Sequence, residues 1–180
     1  MSNGTNVRKR SGSIESLDLN KMHKIVDEAC KDLAGVSASQ VEINSGIQFY
    51  DGITTAEIQE ILIKSASDLI ELESPNYQFV AARLLLFGVR KKLWGRIHEA
   101  PSLGNHITKC IREGVYDPHF TSKYTDQEID ELDSYIDHDR DYLFTYAGLR
   151  QVTDKYLVQD RSTGDLYETP QFMYLSLIHI

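Results

Sequence analysis

Residues 77–94 read YQFVAARLLLFGVRKKLW, and this stretch contributes most to the fold. Its middle, from Val80 to Val89, is apolar on nearly every side, which is typical of a helix that is buried all round. We predict that this helix runs from Asn76 to about Leu93. The Arg-Lys-Lys run at 90–92 places cations where the dipole of a helix end is negative, and Gly95 ends the helix.

Two segments near the N-terminus are also predicted to be helical, because their apolar residues recur at helical spacing. The first runs from Asn20 to Leu33, with Asp18 or Asn20 as its cap, and Gly35 follows its end. The second runs from Ser37 to Tyr50. Its partial core consists of Val41, Ile43, Ile47 and Phe49.

A third helix is predicted after a turn at Asp51-Gly52. Thr54 and Glu57 have the spacing of a capping box, in which side chain and backbone bond to each other in both directions. The apolar face of this helix consists of Ile58, Ile61, Leu62, Leu69 and Ile70.

The N-terminal residues predict a small β-hairpin. Residues 7–10 and 14–17 flank Ser11-Gly12-Ser13, in which the glycine supplies the turn. The hairpin and four helices together predict one self-contained unit, mainly α with a small sheet (α+β). Residues 96–101 are the expected connector to the second half of the chain.

The second half is expected to be a helical segment with a β-hairpin. We predict a helix over residues 102–113, an acidic helix that opens with a capping box at Thr125 and Glu128, and a further helical stretch after Asp141. Residues 156–159 and 166–168 flank a turn with Gly164, which predicts the hairpin. A last helix starts at Thr169-Pro170. Its apolar run from 172 to 180 has no cap, so we expect its packing partner to be missing.

Composition excludes several classes of function. The net charge of −8 argues against a nucleic-acid-binding surface, which needs a dominant basic field. Cys30 and Cys110 stand apart, so neither a disulfide framework nor a cysteine-rich zinc site is expected, and a reducing, cytoplasmic setting fits. The N-terminus lacks a signal-peptide core, and no run of about 20 apolar residues predicts a membrane span.

The acidic clusters are interpreted as charged surface rather than as chemistry. Residues 137–141, Asp-His-Asp-Arg-Asp, resemble a metal cluster, but consecutive residues on a helix point in different directions. We interpret them as a charged helix start with internal pairs. The expected solvated face consists of Glu128, Asp130, Glu131 and Asp133. The sequence therefore predicts no metal site and no catalytic residue in this chain.

Several runs together carry a resemblance to one family. They are Lys9-Arg10 with Gly12, Lys21-Met22-His23, residues 47–53 (IQFYDGI), 77–84 (YQFVAARL), 90–92 (RKK), 136–141 (IDHDRD) and 155–159 (KYLVQ). In this order the chain resembles, up to about Tyr174, the start of the large subunit of class I ribonucleotide reductases of the bacterial and phage type. The resemblance implies that residues 1–95 are an ATP-cone, a four-helix bundle capped by a small β-sheet. It implies that residues 96–180 begin the family's helical domain and break off within it.

The resemblance also implies a function. The ATP-cone of this family binds ATP or dATP as an allosteric effector, with Mg²⁺ allowed beside it, and regulates the synthesis of deoxyribonucleotides for DNA replication. The family's catalytic cysteines lie beyond this chain, which is therefore expected to be inactive alone and to hold no catalytic cofactor. The implied partners are the remainder of the large subunit, if it is encoded separately, and the radical-generating small (beta) subunit.

A set of nucleotide-binding residues is carried over from the resemblance. Lys9 and Lys91 are placed beside the phosphates, with Thr55 at a helix N-terminus that favours anions. Residues 15–21 are implied as the base and ribose contact. Two departures concern dATP: Asp18 stands where members often have Asn, and Gln59 stands where dATP-inhibited members often have His. The full set is Lys9, Arg10, Glu15, Ser16, Leu17, Asp18, Leu19, Asn20, Lys21, Thr55, Gln59 and Lys91.

Other interpretations stay open from the sequence. Lys9 and Lys91 could be ordinary solvated cations, and Thr55 could serve only as a helix cap. The alternative function is a non-sensing interaction fragment that assembles with a separate large-subunit piece. An ATP-cone transcriptional repressor is disfavoured, because such proteins carry a CxxC zinc ribbon that this sequence lacks.

Overall fold

The fold is mainly helical with one small sheet, as expected. The computed structural model describes residues 5–9, 11–46 and 48–179, the last three by their backbone alone. The chain divides into two compact units. The first unit comprises Met1–Gly88 with Phe144–Arg150, and the second comprises Val89–Leu143 with Gln151–Ile180.

The sheet belongs to the first unit and has the order β2-β1-β3, in which β1 is Asn6–Arg8, β2 is Ile14–Ser16 and β3 is Ile53–Thr54. The predicted hairpin is confirmed, since β1 and β2 pair antiparallel around Gly12, whose φ is +84°. β3 pairs parallel to β1 and was not predicted, because two residues carry no strand pattern. A contact between residues far apart in the sequence stabilises this pairing, since the Asp51 carboxylate accepts from the Asn6 backbone N–H at 2.8 Å.

Four helices of the first unit surround its core. They are α1 (Leu19–Cys30), α2 (Ala38–Gly46), α3 (Thr55–Ser67) and α4 (Tyr77–Trp94), of which α4 continues beyond Gly88 into the second unit. The prediction that the middle of α4 is buried is confirmed, because Val80, Leu84, Leu86 and Phe87 are almost fully buried.

Polar contacts from α4 and α3 tie these helices together. The Arg83 guanidinium donates to the carbonyls of Ala29 and Lys31 at 3.2 and 2.6 Å, and so satisfies backbone groups at the end of α1. The Tyr77 hydroxyl accepts from the Ser37 backbone N–H at 2.9 Å, and Gln59 donates to the Leu84 carbonyl at 2.6 Å.

Three predicted helix ends were too late in the sequence. α1 ends at Cys30 instead of Leu33, and the Arg83 guanidinium donates to backbone carbonyls at this helix end. α2 ends at Gly46 instead of Tyr50, because the chain has to turn before Asp51 to form β3. α3 ends at Ser67, so Leu69 and Ile70 lie beyond it.

Some of the predicted core residues are also misplaced. Ile43 is 66% exposed rather than part of the core, while Val41 on the same helix is buried, as predicted. Ile63 on α3 is buried although it was not assigned to the apolar face. Ile47 lies outside the described residues.

The second unit contains α5 (Leu103–Arg112), α6 (Phe120–Lys123), α7 (Asp126–Tyr135), a 3₁₀ helix (His138–Leu143), the end of α8 (Tyr146–Lys155) and α9 (Pro170–His179). The Ser102 cap and the Thr125–Glu128 capping box are both present. One buried hydrophobic cluster consists of Leu103, Ile107, Ile129 and Phe172. The predicted second hairpin is wrong in extent, since Gln159 and Leu166 form an isolated bridge rather than two strands.

The apolar helix α9 is packed within its own unit over part of its surface. Phe172 and Met173 are buried, and Phe172 stacks on His106 with ring centroids 4.2 Å apart. The expectation that this helix lacks a packing partner is therefore wrong for this face.

The charged run at residues 137–141 is only partly a solvated helix start. Asp137 accepts from the Asp139 backbone N–H at 3.0 Å and lies 3.7 Å from the Arg140 side chain, so the internal pairs are present. Asp141, by contrast, is buried, and its carboxylate lies 3.4 Å from Arg90. The sequence pattern did not predict the burial of Asp141, because the side chains of a 3₁₀ helix do not follow the 3.6-residue spacing of an α-helix.

Among the helices of the described residues, none is both long and apolar enough to cross a membrane.

One buried and one partly buried imidazole, those of His106 and His138, predict that the fold is sensitive to acid. Burial lowers the pKa of His106 and of His138 to about 4. Because an unfolded histidine titrates near 6.5, the unfolded chain binds the extra protons between about pH 4 and 6.5. Stability from these groups is therefore complete above about pH 6.5 and is lost as the pH falls. Asp141, whose pKa burial raises to about 6, partly offsets this loss below pH 6.

We expect His106→Gln to flatten this pH dependence, because glutamine does not titrate. The free energy of unfolding would be measured by urea denaturation between pH 4.5 and 7.5. Its slope against pH should fall by up to about 1.4 kcal/mol per pH unit. His119→Gln is the control, since His119 is exposed. An unchanged slope in His106→Gln would contradict the assignment.

Candidate functional site

A cavity of about 630 Å³ opens in the first unit where the hairpin meets α1 and α2. Leu17, Met22, Ile43 and Phe49 give it an apolar lining. This volume lies within the range of small-molecule sites, which are mostly apolar with a few polar groups. Four residues of the predicted base and ribose contact line it, namely Ser16, Leu17, Leu19 and Asn20.

Polar side chains from both helices also line this cavity. The His23 ring Nδ1 lies 2.8 Å from the Glu42 carboxylate, and this pair joins α1 to α2. Ser39 and Asn20 add further hydrogen-bonding groups. An apolar lining with such groups suits a flat heterocycle that has polar edges.

Lys9 and Glu15 are brought together at the hairpin. The Lys9 ammonium lies 2.5 Å from the Glu15 carboxylate, and both side chains are about half exposed. Because exposed ion pairs contribute about 0–1 kcal/mol, an anion could displace this carboxylate at small cost. Arg10, the next predicted site residue, lies outside the described residues.

Asp18 is the N-cap of α1. Its carboxylate accepts from the Lys21 backbone N–H at 3.1 Å and lies 3.7 Å from the Lys21 ammonium. The acid at this position is therefore explained by helix capping, a role that asparagine and aspartate fill equally well.

The start of α3 places Thr55 at a helix N-terminus without using it as the cap. Thr54 is the N-cap, and its hydroxyl accepts from the Glu57 backbone N–H at 3.1 Å. The interpretation of Thr55 as only a helix cap is therefore wrong. The Glu57 carboxylate accepts from Thr54 and from the Tyr50 hydroxyl, and these hydrogen bonds lower the pKa of Glu57 and raise that of Tyr50.

Gln59 is engaged with α4. Its amide donates to the Leu84 carbonyl at 2.6 Å, and its side chain lies against Gly88, where an added Cβ would come within 3.4 Å of the Gln59 Cγ. This distance is that of an ordinary van der Waals contact, so the Gln59 side chain packs closely on α4 at this point.

Lys91 lies in the last turn of α4, in the part of that helix that belongs to the second unit, and is half-buried.

Comparison with known proteins identifies the first part of the chain. Residues 5–92 match the family described as the ATP cone domain. Residues 5–92 form an ATP-cone domain. The cone thus includes the sheet, the cavity and all the predicted nucleotide-binding residues.

The chain is also similar to large subunits of ribonucleotide reductases. It is 49% identical to ribonucleoside-diphosphate reductase 1 subunit alpha of Escherichia coli, over 94% of the chain and 22% of that protein. It is 47% identical to the subunit alpha of Haemophilus influenzae, over 94% of the chain and 22% of that protein. For Enterobacteria phage T4 the identity is 44%, over 96% of the chain and 22% of the subunit alpha. The resemblance to the N-terminal region of these subunits is confirmed, and the chain spans about a fifth of their length.

Sequence reasoning missed part of the cone cavity. His23, Glu42, Ile43 and Phe49 line it, yet none was predicted as a site residue. His23 lies in one of the runs that carry the family resemblance, so a signal existed for it. Ile43 was assigned to the core because it is apolar, and only its 66% exposure points to another role.

The Lys9–Glu15 pair in the cone predicts how an anion binds. Glu15→Gln removes the carboxylate that competes for the Lys9 ammonium. We expect inorganic triphosphate to bind about two- to fivefold more tightly, in line with the 0–1 kcal/mol of an exposed pair. Isothermal calorimetry would measure this change.

The matched control is Glu71→Gln, which makes the same charge change at an exposed residue after α3. If both variants gain equally, only net charge is at work, and Lys9 is not a phosphate ligand.

Proposed function

We propose that this chain is the ATP- and dATP-binding regulatory portion of a ribonucleoside-diphosphate reductase large subunit. The observation that carries the proposal is the ATP-cone match over residues 5–92, which includes a cavity of about 630 Å³ lined by four of the residues predicted to contact the base and ribose. Catalysis belongs to parts of the large subunit that this chain does not include. We also propose 1–95 as the cone and 96–180 as the start of the helical domain.

In this proposal the nucleotide lies along β1 of the cone. Thr5, just before β1, lines the cavity. Lys9, four residues after Thr5, comes directly after the strand. At about 3.3 Å per residue this separation is roughly 13 Å, which an extended nucleoside triphosphate spans. The base would occupy the cavity, and the phosphates would lie near Lys9 and Thr55, with Lys91 as a further cation.

Charge exchange would accompany binding. Lys9 is paired with Glu15, and Lys21 is near Asp18. A triphosphate would replace these carboxylates as the partner of both ammonium groups, and Glu15 would be released to accept from an adenine amino group. Charge-assisted hydrogen bonds to phosphate are among the stronger ones that a protein makes, which favours this exchange.

Regulation would follow from differential affinity. An effector shifts an assembly only as far as it binds two arrangements unequally, and the coupling is reciprocal. The proposed partners are the rest of the large subunit and the radical-generating small (beta) subunit, and the proposed setting is the cytoplasm. The regulated process would be deoxyribonucleotide synthesis for DNA replication.

Calorimetry of the purified chain with ATP and with dATP tests the proposal. We expect micromolar binding of ATP and a loss of at least tenfold in Lys91→Ala, because a phosphate cation is removed. Lys92→Ala is the control, since it removes an exposed cation from the same helix turn. A folded chain that binds neither nucleotide would overturn the sensor function and favour the non-sensing interaction fragment.

Gln59 provides a second test. If residue 59 lies beside the phosphates, Gln59→His adds a cation that is charged at pH 6 and largely neutral at pH 8. We expect the variant to bind dATP about three- to tenfold more tightly than the wild type at pH 6, and about equally at pH 8. A gain that is the same at both pH values would contradict this placement of residue 59.

A further inference from the structure

The turn before β3 is hydrogen-bonded to the first residue of β1. The Asp51 carboxylate oxygen Oδ1 accepts from the Asn6 backbone N–H at 2.8 Å and from the Asn6 side-chain amide at 2.9 Å. In return, the Gly52 backbone N–H donates to the Asn6 carbonyl at 2.9 Å. Three hydrogen bonds therefore join Asn6 to a turn that begins 45 positions later in the sequence.

The shape of this turn does not depend on the Asp51 side chain. Gly52 has a φ of +84°, which glycine adopts at little cost, and the Ile53 backbone N–H donates to the Tyr50 carbonyl at 3.3 Å across the turn. The Asp51 side chain is exposed, so it does not fill the core either. What it contributes is its pair of hydrogen bonds to Asn6, and a charged acceptor makes such bonds strong.

The same contact fixes how β1 lies beside β3. In this parallel pair, Val7 lies opposite Ile53 and Arg8 lies opposite Thr54. A slip by one residue is excluded because it would turn the buried side chains of Val7 and Ile53 away from the core. A strand of only two residues has few ladder hydrogen bonds with which to resist other shifts or fraying. The bonds to the Asp51 carboxylate supply this restraint at the start of the pair.

The register decides which residues lie together after the pair ends. Lys9 comes directly after β1, and Thr55 begins α3 directly after β3. Arg8 lies beside Thr54, and neighbouring strands are about 4.8 Å apart. The backbones of Lys9 and Thr55 therefore leave the sheet side by side. Both residues are phosphate ligands in the proposed function, so one triphosphate can contact both.

The predicted base contact is connected to β1 in a different way. The Leu17 backbone N–H donates to the Thr5 carbonyl at 2.8 Å, which extends the antiparallel pairing of β1 with β2. The chain then enters α1 through its N-cap, Asp18. The hairpin and the start of α1 therefore keep their arrangement when the bonds from Asn6 to the Asp51 carboxylate are lost. Only the position of β3 and of the start of α3 relative to β1 is released.

We propose that Asp51 is a positioning residue for the phosphate end of the effector site, because it holds Lys9 beside Thr55. This inference rests on the proposed nucleotide-binding function, and all the residues that it uses belong to the first unit. Asp51 does not contact the effector. Its carboxylate orders the two phosphate ligands before binding, so less conformational entropy is lost when the effector binds.

Two substitutions at position 51 separate hydrogen bonding from charge. Asp51→Ala and Asp51→Asn both remove one negative charge, but asparagine keeps an oxygen that can accept from Asn6. Calorimetry would give the affinity for ATP, and nuclear magnetic resonance titration would give the affinity for adenosine. We expect Asp51→Ala to weaken ATP about five- to tenfold and Asp51→Asn to stay within about twofold of the wild type, with adenosine within about twofold in both. Loss of charge alone would instead tighten ATP binding in both variants.

A double-mutant cycle with Lys9 tests whether Asp51 acts through the phosphate ligands. In the Lys9→Ala background, Asp51→Ala should change the affinity for ATP by about twofold or less, because the ligand that Asp51 positions is already missing. Circular dichroism of each variant would confirm that the helices are formed.

Asn6→Ala keeps the test decisive if Asp51→Ala fails to fold. This variant removes only the side-chain amide and leaves the backbone hydrogen bonds of residue 6 in place. We expect it to weaken ATP about two- to threefold and to leave adenosine unchanged. Asn105→Ala, which removes an exposed amide in the second unit, is the matched control.

The outcomes separate this inference from the proposed function. If the wild type does not bind ATP, the proposed function fails, and the inference fails with it. If Lys9→Ala weakens ATP but folded Asp51→Ala and Asn6→Ala do not, only the positioning role is overturned. Equal losses for ATP and adenosine, an equal loss in Asp51→Asn, or full additivity with Lys9→Ala would show a different role for Asp51 and would also overturn it.

Discussion

The surface of α4 is the constraint on which the first unit depends. Val80, Leu84, Leu86 and Phe87 cover so much of the circumference that the helix is stable only when other elements enclose it. Polar contacts at Tyr77 and at Leu84 then fix where neighbouring helices lie. The position of α3 follows from this enclosure, because Gln59 of α3 donates to the Leu84 carbonyl of α4.

Two lysines of the first unit lie beside carboxylates of the same unit. Lys9 pairs with Glu15 and Lys21 lies near Asp18, while Glu57 occupies the start of α3. Exposed pairs of this kind contribute little to stability, so each lysine has a counter-charge that another anion can displace. In the proposed function, an anionic effector would replace one set of partners by another, and selectivity would depend on the apolar cavity.

The second unit uses buried polar groups where the first uses exposed ones. Arg90 and Asp141 lie in its interior, and Glu168 accepts from the Tyr116 hydroxyl, the Ser176 hydroxyl and the Val158 backbone N–H. A buried charge that loses its partner is strongly destabilising, so such groups specify one arrangement. This explains why a short 3₁₀ helix and a nearly strandless loop can have defined positions.

The sequence by itself determined the helices, their caps and the family, because these depend on local periodicity, on residues three apart and on runs of matching residues. Gly12, Thr54 and the apolar middle of α4 were assigned correctly for that reason. Only the tertiary structure decided the strand β3, the burial of Arg90 and the exposure of Ile43. Each of these features depends on a contact with residues far away in the sequence, or on the absence of such a contact. The residues adjacent in the sequence do not determine either.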